Sequence, residues 1–141
     1  MKILGLDIGE KRIGVAVSDE LYMTAQGKTV ILRSTLEKDI DKILNIIEAE
    51  GIKKIIVGLP INMDGSYGDM VKTVKSFVSF LSDKTSCPVE TFDERLSSKM
   101  AENVLLEADV SRKKRKNVID KLAAVNILQT YLDRLNQDNG Q

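Results

Sequence analysis

The feature that most constrains this chain is a change of hydrophobic period between Leu32 and Leu36. Before it, apolar residues come in short runs, Ile3 to Ile8, Ile13 to Val17 and Thr29 to Leu32, which read as β-strands. After it, Leu36, Ile40, Ile43, Leu44 and Ile47 recur at helical spacing and mark one apolar face. Gly9-Glu10-Lys11-Arg12 separates the first two runs and is short enough for a hairpin. Ser34 with Glu37 three residues on reads as a capping box for the helix, and Gly51 as its stop.

The remainder alternates. Lys54 to Gly58 is a β-branched run of the kind buried in parallel sheets. Met70, Val74, Phe77, Val78 and Leu81 mark a second helix, and Pro88 to Phe92 a further strand. Met100, Ala101, Val104, Leu105 and Ala108 mark a third helix, and a last one is expected from about Val118 to Leu135. A three-stranded meander followed by alternating helix and strand implies an α/β chain with a mixed five-stranded sheet and helices packed on its faces. Right-handed crossovers would set the later strands parallel to the first. Residues 1–135 fit one domain, with 136–141 as a polar tail expected to fray.

Composition narrows the chemistry by exclusion. There is no histidine and one cysteine, Cys87. Ser-His-Asp and Cys-His catalysis are therefore excluded, as is imidazole-ligated zinc. A bound metal would be held by oxygen, which points to Mg²⁺, Mn²⁺ or Ca²⁺. A lone thiol leaves no internal disulfide and fits a reducing, cytoplasmic setting. No run of 18 apolar residues occurs, so no membrane span is expected. Lys plus Arg equal Asp plus Glu at 21 each, so attraction to nucleic acid would have to come from local clusters rather than a global field.

Three acids stand out. Asp7 ends an apolar strand, where an ionised carboxylate is rarely placed unless paired or on a metal, and Gly9 beside it permits close approach of an ion or phosphate. The bland alternative is a cap on the hairpin turn. Glu94 follows another strand, flanked by Asp93 and Arg95, at the carboxyl edge where ligands gather in such sheets; the alternative is a surface turn with a local ion pair. Asp120 follows Asn117, which reads as an N-cap, so Asp120 would also suit a plain helix start. Just before it, Arg112-Lys113-Lys114-Arg115-Lys116 is read as a cationic loop. Such a run is usually solvated, but beside a carboxylate cluster it would hold a polyanion that the acids repel. Aromatic residues are only 4%, so recognition would rest on the nucleic-acid backbone rather than on base stacking.

The segments Asp7-Ile8-Gly9-Glu10-Lys11-Arg12-Ile13-Gly14-Val15-Ala16-Val17, Val57-Gly58-Leu59-Pro60-Ile61-Asn62-Met63-Asp64-Gly65, Asp93-Glu94-Arg95-Leu96-Ser97 and Ile119-Asp120-Lys121-Leu122-Ala123-Ala124 occur in that order. Together they resemble the YqgF (RuvX) family of bacterial RuvC-like nucleases over essentially the whole chain. The resemblance implies a ribonuclease H-like fold with Asp7, Glu94 and Asp120 as catalytic and metal-binding acids. It also implies Mg²⁺ or Mn²⁺ as cofactor, and two functions: processing of the 5′ end of pre-16S ribosomal RNA and resolution of Holliday junctions. The last motif departs from the family at Lys121 and Leu122, where members often carry small residues. In a two-metal displacement Asp7 would be the shared ligand. Lys11, Arg12, Asn62, Arg95 and the run Arg112 to Lys116 are the expected nucleic-acid contacts.

Two other readings compete. One is a non-catalytic RNA-binding module of ribosome maturation on the same fold. The other is a fragment of an actin or sugar-kinase-like ATPase, which an Asp-x-Gly hairpin also opens, although that architecture closes two domains on its nucleotide.

Overall fold

The computed structural model describes residues 1–62, 64–96 and 112–139, the side chains of Leu96, of residues 112–120 and of residues 138–139 excepted. Strand β1 (Lys2–Ile8) pairs antiparallel with β2 (Arg12–Ser18), Leu6 opposite Val15 and Asp7 opposite Gly14. Strand β3 (Ala25–Leu32) pairs antiparallel with β2 and forms one edge of the sheet. It starts four residues before the apolar run that announces it. Gln26, Gly27 and Lys28 are exposed, so pairing to β2 rather than burial makes this part a strand.

Helix α1 (Leu36–Glu50) ends as expected on Gly51, left-handed at φ 66°, whose N–H donates to Ile47 O. Its start differs from the expected capping box. The N-cap is Thr35, whose Oγ1 accepts from Lys38 N at 3.2 Å, while Ser34 donates its N–H and hydroxyl to Asp39. Strand β4 (Ile52–Leu59) lies parallel to β1, helix α2 (Asp69–Lys84) follows, and β5 (Val89–Asp93) lies parallel to β4. The order is β3-β2-β1-β4-β5, the mixed five-stranded sheet expected. A 3₁₀ turn, Glu94–Leu96, leaves β5. The helix expected over Met100 to Ala108 lies outside the described residues.

The last helix, α3, spans Arg112–Asn139. The chain is already helical at Arg112, six residues before the expected start at Val118. The basic run is therefore helical rather than a loop, and Asn117 is not an N-cap. Arg and Lys are good helix formers, so the run can extend a helix whose apolar stripe starts later. The helix runs past the expected boundary at residue 135 to Asn139, and Asn136 Nδ2 donates to Tyr22 O at 2.8 Å.

Alternation along the strands splits the core between the two faces. Leu4, Leu6 and Ile8 of β1 pack with Ile40 and Ile43 of α1 and with Val74, Phe77 and Leu81 of α2. On the opposite face Ile3, Ala16 and Ile56 pack against Ala124, Ile127, Leu128 and Leu132 of α3. Burying one such side chain contributes about 1.5–3 kcal/mol, against about 1 kcal/mol for a helix cap, so packing decides where the helices sit. Glycine admits α3 to the sheet: a Cβ on Gly5 would lie 2.8 Å from Leu128 Cβ. At the far end Ala25 N donates to Gln129 Oε1 at 2.8 Å. The helix therefore runs from the carboxyl end of β1 back towards its start. Among the described residues no helix is long and apolar enough to cross a membrane.

Candidate acidic active site

Asp7 shares the α3 face of β1 with Ile3 and Gly5 by strand alternation, at the carboxyl end of the strand. It is half-buried. Glu94, first residue of the 3₁₀ turn after β5, is also half-buried and is hydrogen-bonded to Asp7 through their carboxyl groups. Strand β4 separates β1 from β5, so this contact spans a strand. Gly58 of β4 makes the crossing possible. A Cβ there would lie 2.8 Å from Glu94 Cγ and 2.5 Å from Ile127 Cδ1. Gly58 is a site residue that the sequence by itself did not single out; its signal was a glycine interrupting a β-branched run, which marks close approach of another group.

Two carboxyl groups cannot both ionise cheaply at such a contact. The Glu94 carboxyl is pushed up to about 9, first by burial, then by the hydrogen bond to Asp7 and the charges of Asp7 and Asp93. A carboxyl pair under this repulsion is the arrangement that a bound cation relieves. The donors are carboxylate oxygens, the ligand type for hard divalent ions such as Mg²⁺. Among the described residues no three His, Cys, Asp or Glu side chains converge.

The third acid, Asp120, is the ninth residue of α3 rather than its third. It occupies the position one helical turn before Ala124, whose carbonyl lies 3.4 Å from where a Gly5 Cβ would be. The backbone thus reaches the Asp7 end of the sheet at Asp120, whose side chain is not among those described.

The expected nucleic-acid contacts divide. Lys11 is exposed in the turn after Asp7, and Arg12 is half-buried at the start of β2. Arg95 is exposed and forms an ion pair with Asp93, Nη2 to Oδ2 at 2.6 Å and Nε to both oxygens at 3.0–3.1 Å. This local pair with Asp93 leaves Glu94 to face Asp7. Asn62 is exposed and closes its own loop: Asn62 N donates to Ser66 O at 3.0 Å and its Nδ2 to Ser66 Oγ at 3.1 Å. Gly65 in that loop, at φ 87°, lies beside Arg95; a Cβ there would be 3.6 Å from Nη1. The Asn62 loop and Arg95 therefore form one rim of the acidic pair. Of Arg112 to Lys116 the backbone places all five on the first turns of α3.

A cleft of about 610 Å³ lined by Lys2, Ser18, Asp19, Lys28 and Glu50 opens at the opposite end of the sheet and contains none of these residues. Lys2 and Lys28 each lie 3.8 Å from Glu50 there, so the cleft's basic groups are already paired.

The family model RuvX, described as Holliday junction resolvase, matches residues 1–134. A protein of Natranaerobius thermophilus named "Putative pre-16S rRNA nuclease" is 61% identical over 140 residues, covering 99% of each chain. One of the same name from Halothermothrix orenii is 54% identical over 140 residues, covering 99% of this chain and all of the relative. Among solved structures, T. thermophilus RuvC in complex with Holliday junction substrate matches at TM-score 0.60 and 16% identity, over 96% of each chain. That likeness is one of fold, and the fold is the ribonuclease H-like one of the RuvC resolvases.

Proposed function

This chain belongs to the RuvX family, and on that premise we propose that it is a metal-dependent endonuclease whose acidic centre is Asp7, Glu94 and Asp120. The observation that carries the reading is the carboxyl–carboxyl contact of Asp7 and Glu94 across Gly58. Such a pair is unfavourable on its own and becomes favourable around a divalent cation. Asp7 and Glu94 would hold Mg²⁺ or Mn²⁺, with Asp120 brought to the same end of the sheet by α3. The ion, when bound, supplies charge neutralisation at a phosphodiester and a lowered pKa for attacking water.

The chain's own groups do the rest. Asp7 and Glu94 would supply oxygen ligands for that ion at the carboxyl end of β1. Lys11 and Arg12, in the turn that follows Asp7, offset the negative charge that builds on the phosphate. Asn62 and Arg95 border the pair from the other side. The basic run supports a polyanionic partner by a separate argument. Five consecutive cations at Arg112 to Lys116, in the segment leading to Asp120, would attract nucleic-acid phosphates by releasing their counterions. The substrate is structured nucleic acid. Processing of the 5′ end of pre-16S rRNA is favoured by the names its relatives carry, and cleavage of Holliday junctions by the description of its family. A cytoplasmic site of action fits either substrate.

The test is cleavage of a pre-16S leader RNA and of a four-way DNA junction, in parallel, with Mg²⁺, with Mn²⁺, with Zn²⁺ and with chelator. Cleavage of one substrate in Mg²⁺ or Mn²⁺, lost in chelator and in Asp7→Asn, is expected. Binding without cleavage under every condition would instead establish a non-catalytic RNA- or junction-binding module.

A further inference from the structure

We infer that Arg33 is a positioning residue: with the buried Asp39, it clamps the Gly9–Arg12 turn that immediately follows Asp7. The inference rests on the reading of Asp7 as part of the active site. Arg33 leaves β3 and holds the turn at two points. Its backbone N donates to Lys11 O at 2.9 Å, and its Nη1 donates to Gly9 O at 3.0 Å. Its Nε faces Asp39 Oδ2 at 3.4 Å. The guanidinium lies 5.7 Å from the ring centroid of Phe77 on α2.

Asp39, in the first turn of α1, has no exposed surface. Its other oxygen accepts from Ser34 N at 3.0 Å and from Ser34 Oγ at 3.4 Å, so the carboxylate is itself fixed. A turn of the β1–β2 hairpin is thereby tied, through one guanidinium, to both helices on the opposite face of the sheet from the acids.

Stability alone does not account for this arrangement. Desolvation of a buried ion pair offsets most of its Coulombic gain, and an apolar pair of the same volume would often serve the fold as well. What an apolar pair lacks is a donor aimed at Gly9 O. Arginine is also specific here, since its planar fork satisfies Asp39 and Gly9 O at once, and a lysine ammonium on a flexible stem does not reproduce that geometry. Gly9 has little latitude of its own. Its N–H donates to Arg12 O at 2.8 Å, and a Cβ on it would lie only 2.8 Å from the same oxygen. The clamp therefore sets where the turn sits relative to Asp7, and where Lys11 and Arg12 are presented.

The test is Arg33→Lys, which conserves charge. Amide exchange at Gly9 and at residue 33, whose N–H bonds Lys11 O, is expected to rise on the order of tenfold, while the amides of β1 and β4 keep their protection. On the cleaved substrate, kcat per folded molecule is expected to fall on the order of tenfold or more with KM held, because Arg33 does not touch the substrate. Asp39→Asn should reproduce the faster exchange and provides the same test if Arg33→Lys does not fold. Exchange in the turn at the wild-type rate overturns the inference. So does a lower melting temperature with unchanged kcat per folded molecule, which is a purely structural pair. A rise in KM with kcat held also overturns it, making Arg33 a substrate contact. If wild-type protein cleaves nothing, the proposed function fails, and the exchange result alone decides the clamp.

Discussion

Glu94, in the 3₁₀ turn after β5, and Asp7, 87 residues earlier on β1, which does not pair with β5, meet carboxyl to carboxyl over Gly58. Asp7 lies at the carboxyl end of the first strand, whereas Glu94 follows β5, which the crossovers through α1 and α2 bring to the same end of the sheet. Their contact is therefore a product of the sheet order, and with burial it holds the Glu94 carboxyl well above its ordinary range.

The pH dependence of folding follows. Glu94 titrates at about 9 in the folded, metal-free chain against an ordinary 4.5. Between those values the folded chain holds a proton that the unfolded chain has released. Raising the pH through this window therefore weakens folding, and the contribution is gone once the pH passes about 9. Denaturant unfolding in chelator from pH 5 to 9 should show this decline, and Glu94→Gln should flatten it. Parallel wild-type and variant curves would show that Glu94 is ionised throughout.

Asp7→Asn separates catalysis from architecture. It should reduce cleavage by about 10²-fold or more, comparable to removing a major electrostatic element. In chelator it should melt at the wild-type temperature or above, because a half-buried charge is gone and the amide can still bond the Glu94 carboxyl. Added Mg²⁺ should raise the wild-type melting temperature and leave that of the variant where it was. A variant that melts much lower in chelator, and cuts at the wild-type rate per folded molecule, would make Asp7 a structural acid.

Gly58→Ala should damage the site from the floor of the sheet. The new methyl would press on Glu94 Cγ and Ile127 Cδ1, at a cost of about 1–3 kcal/mol in stability. Glu94 can move aside more readily than Ile127 in the core, so cleavage should fall further than stability accounts for. An alanine variant with wild-type melting and turnover would mean that the site adapts at no cost.

Neutralising Arg112 to Lys116 should weaken binding to either nucleic acid and flatten its dependence on salt. The log–log slope should fall by about 0.9 for each duplex phosphate that the variant no longer neutralises. Far-ultraviolet circular dichroism should keep its helical signal, since glutamine is a comparable helix former. An unchanged salt slope would assign these cations to solvent.

Periodicity and turn chemistry made the strand and helix order of the described residues legible in advance. The β-type runs before Leu32, the helical spacing after Leu36 and the stop at Gly51 each depend on neighbours within a few residues. That the helix already includes Arg112 was not legible, because cations favour a helix without contributing to an apolar stripe. Nor was the cap at Thr35, because the adjacent Ser34 offers the same hydroxyl chemistry one residue earlier. Asp7 and Glu94 stood out singly, as acids ending apolar strands. Their contact, the role of Gly58 and the Arg33–Asp39 clamp were decided by tertiary structure alone. Each joins residues from separate elements, and the distance between such residues is set by sheet order and by how closely α3 packs, which no local pattern records.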